Sequence, residues 1–179
     1  MRTEAQTPEF SRRVRAADLE DGRETAVSLA ADAAERAALA RRFGLTDLVR
    51  LQAAVRLLRT GPLVTATADL EADVVQSCVV TLEPVPAAIR DRATRLYADP
   101  GPADEGEGGE EVVVQIDEDD PPEPIVDGAI DIGELVAEEM GLRLEPYPRS
   151  PGAAFDAPAG EDALESPFVV LGRLKDGRR

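Results

Sequence analysis

The alternating run at residues 64–82 constrains this chain more than any other feature. Even positions carry Val64, Ala66, Ala68, Leu70, Ala72, Val74, Gln76, Cys78, Val80 and Leu82, while Thr65, Thr67, Asp69, Glu71, Asp73, Ser77 and Thr81 hold most odd ones. A period of two sets one row against a core and the other in water, which predicts a half-buried strand at the centre of a sheet. Strands usually run about five or six residues. A break or bulge is therefore expected at residues 73–76, where Gln76 enters the apolar row, followed by a proline stop at Pro84.

Neighbouring segments supply the rest of the sheet. Leu48, Leu51, Val55 and Leu58 fit a helical stripe, while Val49, Leu51, Ala53, Val55 and Leu57 fit a strand row. The Thr60-Gly61-Pro62 turn selects the strand, because a hairpin gives the long run a neighbour. Residues 9–16 alternate weakly and predict an opening edge strand guarded by Arg12, Arg13 and Arg15, a solvated face rather than an RNA footprint. Residues 25–29 predict a further short strand, and residues 89–97 a strand or a short helix, of which the strand is preferred.

Two helices interrupt this pattern. Asp32 and Glu35 have the spacing of a capping box, opening a helix that runs to Phe43, anchors through Leu39 and Phe43, and stops at Gly44. Asp131 and Glu134 repeat that spacing ahead of the stripe Ile132, Leu135, Val136 and Met140, with Gly141 at the stop and an exit strand expected over residues 142–149. Glu138 and Glu139 are neighbours on this helix, point about 100° apart, and are expected to face water rather than act as paired catalytic carboxylates. Together these elements predict an α+β single domain: a mainly antiparallel sheet, curved or barrel-like, with two packed helices and a disordered acidic loop.

The net charge of −16 is not spread evenly. Between Leu96 and Leu142 stand 16 acids and no Lys or Arg; of 36 acids in all, the other 20 are balanced by the chain's 20 basic residues. Prolines, glycines and acids crowd residues 99–124, which cannot bury enough surface to offset chain entropy, so that stretch predicts a mobile loop. Only the run Val112 to Ile116 is apolar enough for an edge strand. The candidate partner-binding acids are Asp104, Glu105, Glu107, Glu110 and Glu111, then Asp117, Glu118, Asp119, Asp120 and Glu123. They lack the spaced positions and central glycine of a calcium loop, so no metal is expected. A basic protein surface is their natural counterpart, and they oppose a grip on bare phosphate backbone.

The run Gln76-Ser77-Cys78-Val79-Val80-Thr81-Leu82-Glu83-Pro84-Val85 resembles the central signature of the YceD family, the large ribosomal RNA subunit accumulation proteins. The segment around Asp131 and Glu134 resembles a second signature of that family, followed by Leu142 to Arg149 much as in alphaproteobacterial members. Cys78, Leu82, Glu83, Pro84, Asp131 and Glu134 are the signature residues carried over. Many members bear two cysteines three apart; here Thr81 stands in the second place, so any metal or redox role of that pair lacks one partner. The resemblance covers residues 10–149 and the Ser-Pro-Phe tail, and implies a factor in large-subunit ribosomal RNA accumulation.

A chain of 179 residues allows one core with appendages: a domain at residues 9–149, a linker at 150–165, and a short helix or docking segment at 166–175 opened by Ser166-Pro167. No apolar run reaches membrane-spanning length and the amino end has no secretory-type apolar segment, which predicts a cytoplasmic protein without a membrane partner. The single cysteine agrees with a reducing compartment. Histidine is absent, no phosphate-binding glycine loop occurs and no Cys-x-x-Cys pair is present, so neither an enzyme nor a cofactor is expected. Cys78 on the apolar row is expected to be a small buried hydrophobe with a raised pKa. The expected function is non-enzymatic: binding of a basic ribosomal protein or a preribosomal particle, with direct RNA contact left open. Two alternatives remain, an acidic adaptor for a basic partner unrelated to ribosomes, and a cysteine-dependent enzyme or redox protein.

Overall fold

A computed structural model describes residues 8–99 and 121–155. Three long antiparallel strands, β3 (Asp47–Thr60), β4 (Leu63–Ser77) and β5 (Pro84–Ala98), form a meander. On the free side of β3 lies β2 (Glu24–Ala30), and beside the end of β5 runs the two-residue parallel strand β6 (Glu123–Pro124). A separate pair joins β1 (Arg13–Arg15) to β7 (Ala129–Asp131). Helix α1 (Ala33–Arg42) packs on β3, and α2 (Ile132–Leu142) packs on β4 and β1. The architecture is α+β and mostly antiparallel, as expected. The sheet, ordered β2-β3-β4-β5-β6, stays open and forms no closed barrel.

The hairpin reading of residues 48–59 is correct, and Gly61 supplies the positive φ its two-residue loop requires. Burial follows the alternation: Val64, Ala66, Ala68, Leu70, Ala72 and Val74 of β4 join Leu51, Val55 and Leu57 of β3 in the core. Leu39 of α1, Ile132, Leu135, Val136 and Met140 of α2, and Phe10 complete it.

Several expectations need correction. The break at residues 73–76 does not occur; β4 runs unbroken to Ser77, and the irregularity sits on its neighbour, where the register slips between Leu48 and Arg50 opposite Val74 and Asp73. The extra residue, Val49, is pushed outward and exposed. The strand stops before Cys78, because residues 78–83 fold into a turn closed by Cys78 N–H to the Glu83 carbonyl and Leu82 N–H to the Cys78 carbonyl. Pro84 begins β5 instead of stopping the sheet. It and Pro86 face Ser77 and Val75 in the non-hydrogen-bonded sites of the ladder, where no N–H is needed toward β4.

Of the weak alternation at residues 9–16, only β1 is strand, paired with β7 rather than with the main sheet. The exit strand over residues 142–149 is absent. α2 continues to Leu142, and the following chain is held by Gln76 donating to the Glu145 carbonyl and Val79 N–H donating to the Pro148 carbonyl. Of the acidic loop expected over residues 99–124, residues 100–120, with the expected strand from Val112 to Ile116, lie outside the described residues, while its end is ordered as β6 against β5. So does the segment at 166–175.

Candidate partner-binding groove and the cysteine turn

Of the ten acids singled out for partner binding, only Glu123 is described; Asp104, Glu105, Glu107, Glu110, Glu111, Asp117, Glu118, Asp119 and Asp120 lie outside the described residues. Glu123 stands in β6 beside Tyr97 and accepts from Arg95 Nη1 at 3.1 Å. The same guanidinium donates to Glu138 at 2.7 Å and to Glu139 at 2.8 Å. The two glutamates thus do not simply face water: Glu139 is buried to 8% exposure, and one arginine gathers both. Burial works against the charge on Arg95, but the hydrogen bonds it donates to Glu138 and Glu139 outweigh it and hold the guanidinium protonated. Tyr97 beside it is pushed up to about 12, first by burial and then by the Glu123 charge.

These residues border a groove of about 460 Å³ between the end of β5 and the β7–α2 corner. Its carboxylates are Glu123, Asp127, Asp131, Glu134 and Glu138, against Arg13 and Arg95. Asp131 also has a structural task. It accepts from the Ser11 hydroxyl, from Arg12 N–H at 2.7 Å, and from Gly133 and Glu134 N–H, tying β1 to the start of α2. Glu134 does not close a capping box as Glu35 does with Asp32; it reaches Arg42 at 2.6 Å, bridging α2 to α1, and Arg42 also holds Glu9. The Arg42 guanidinium is raised by that Glu134 bond against the penalty of burial.

The other signature residues lie at the far end of β5, roughly 40 Å away along a strand rising about 3.3 Å per residue. Cys78 is fully buried there, as expected, but in a turn rather than in a strand row. Its sulfur accepts from Val80 and Thr81 N–H, both at 3.4 Å, and from Ser150 N–H at 3.3 Å. The Ser150 hydroxyl first, then the Thr81 hydroxyl, and after them the Ser150 amide bring the thiol down to about 6 rather than up. Ser150 is therefore part of this turn, not the start of a linker. Glu83 accepts from Thr81 Oγ1 at 3.2 Å, and Leu82 stands 77% exposed with φ of 62°, a conformation a branched side chain rarely adopts.

Many of the arginines are engaged in ion pairs, while among the described residues Arg36, Arg41, Arg59, Arg90 and Arg149 form none. Arg12 pairs with Glu35, Arg13 with Asp127 and Arg15 with Asp18. On the solvent face of the sheet, Arg50 pairs with Asp73, and Arg56 and Arg92 share Asp69, whose carboxyl is lowered mainly by the Arg92 bond. Among the described residues no helix is long and apolar enough to cross a membrane, and no group of three His, Cys, Asp or Glu is placed to hold a metal.

A family model described as Large ribosomal RNA subunit accumulation protein YceD matches residues 66–168. The chain belongs to the YceD family. That match spans both the cysteine turn and the β7–α2 corner, and the family's name supports a general role for the chain in large-subunit ribosomal RNA accumulation. Comparison with curated proteins and with solved structures found no match. In this YceD-family chain the residues that sequence reasoning missed are Arg95, Tyr97 and Ser150. One signal was available: the inward row Ile89, Asp91, Ala93, Arg95, Tyr97 puts an arginine where a core residue belongs, and such a position demands acidic partners.

Proposed function

We propose that this YceD-family chain supports large ribosomal subunit production by holding a basic protein, free or on a preribosomal particle, without catalysing a reaction. The observation that carries this reading is the continuity of acid. Around the groove, among the described residues, Glu9, Glu123, Asp127, Asp131, Glu134, Glu138 and Glu139 outnumber Arg12, Arg13, Arg42 and Arg95. The segment that leads into Glu123 is the most acidic in the chain. A cationic partner meets negative potential at this groove, whereas phosphate meets repulsion there. Cys78, although its thiol is brought down to about 6, is fully buried and has no histidine or second thiol beside it, which favours a structural over a nucleophilic reading.

The test is photo-crosslinking from positions 104 and 123 of the full chain in growing cells. The expected product is a basic ribosomal protein, in a complex that dissociates as salt rises. Capture of ribosomal RNA alone contradicts the protein-binding mechanism while leaving the process standing. Capture of a basic protein foreign to ribosomes favours the adaptor alternative and removes the process.

A further inference from the structure

The free edge of β2 is built differently from the rest of the sheet margin. Ala31 N–H donates to the Leu51 carbonyl at 3.0 Å in register with the β2–β3 ladder, so odd-numbered residues of β2 bond to β3. Antiparallel alternation then turns the N–H and C=O of Glu24, Ala26, Ser28 and Ala30 outward. Among the described residues no strand pairs with that row. Native sheets blunt such margins with proline, lysine or inward-pointing charge, and β2 has one charge only, Glu24, at its end. By contrast the outward row of β5 holds Pro84, Pro86, Arg90 and Arg92.

We infer that β2 is a self-association edge, pairing antiparallel with β2 of a second copy of this chain about a twofold axis at Val27. In that register the outward-bonding positions meet one another: Ala26 faces Ser28 of the second copy and Glu24 faces Ala30, so no acid opposes an acid. Thr25, Val27 and Leu29 of both copies stay on the core side, and the two sheets become one isologous sheet. Of the chain's net charge of −16, β2 itself carries only Glu24. Beside the edge, Ser28, Ala30 and Ala54 line one part of a groove of about 610 Å³ that continues to Asp69, Glu71 and Arg90. This inference stands independently of the proposed partner.

Sedimentation velocity on the full chain over a concentration series tests it. The expected result is a doubling of mass as concentration rises. Ala26→Lys/Ser28→Lys sets like charges opposite one another twice and should weaken the dimer about tenfold, whereas Ala26→Lys/Ser28→Glu sets opposite charges there and should restore it. Both sites are exposed, so melting of the dilute monomer should not change. A monomer at every concentration overturns the inference, as does a dimer indifferent to both variants. Capture of a different protein's strand at position 26 by a monomeric chain overturns it equally.

Discussion

Cys78 closes the turn between β4 and β5 by accepting three amide hydrogens, and its protonation is linked to folding. The thiol sits at about 6 in the folded chain against an ordinary 9.0, so between those values the unfolded chain binds the proton that the folded chain has released. Stability therefore rises with pH across that window, is fully present above the unfolded value, and is lost as pH falls through about 6. Denaturation midpoints of the wild type and of Cys78→Ser should diverge toward alkaline pH and converge below the window. Midpoints that run parallel would show that the sulfur is not a thiolate acceptor. Being buried, the thiol should also label slowly until the chain unfolds. Four residues along, Leu82 holds a positive φ in full exposure, so Leu82→Gly should stabilise the chain by about 1 kcal/mol in chemical denaturation. Neither feature was legible in the sequence. Cys78 obeys the period of two, and nothing local says that its sulfur meets Ser150 or that the strand has already ended at Ser77.

Elements whose cause is local were readable, and those whose cause is distant were not. The Asp32–Glu35 box and the Asp131 cap are set by residues within one helical turn, and both helices start where that chemistry places them. The bulge at Val49, the absent exit strand and the Arg95 cluster depend on partners many residues away. Two substitutions test how the elements are joined. A Cβ on Gly133 would lie 2.5 Å from the Phe10 carbonyl oxygen and 2.8 Å from the Arg12 nitrogen. Backbone cannot yield as a side-chain tip can, so Gly133→Ala should cost about 3 kcal/mol in urea unfolding. Arg95→Ala leaves Glu139 buried with no cation beside it, because the Arg95 and Glu139 side chains are only 18% and 10% exposed. It should cost about 3 kcal/mol, and Glu139→Gln added to it should recover part of that loss. Full additivity of the two substitutions would mean that the pair does not join β5 to α2.

Across the whole molecule, the open sheet separates two regions that the family signatures touch: the cysteine turn at one end of β5 and the acidic groove at the other. The groove's acids lead into the segment where the chain's charge excess lies, and the arginines that an RNA ligand would need are largely held in ion pairs. The central claim joins a process to a surface: large-subunit production, carried by acid that holds a basic protein. It is tested most directly by replacing the chain in cells with a variant in which Asp104, Glu105, Glu107, Glu110, Glu111 and Glu123 become Asn or Gln, and measuring the ratio of large to small subunits on gradients. The expected result is a deficit of large subunits close to that of full depletion, with the variant protein folded and present at normal level. A normal ratio under those conditions, or a normal ratio on full depletion, would contradict the account.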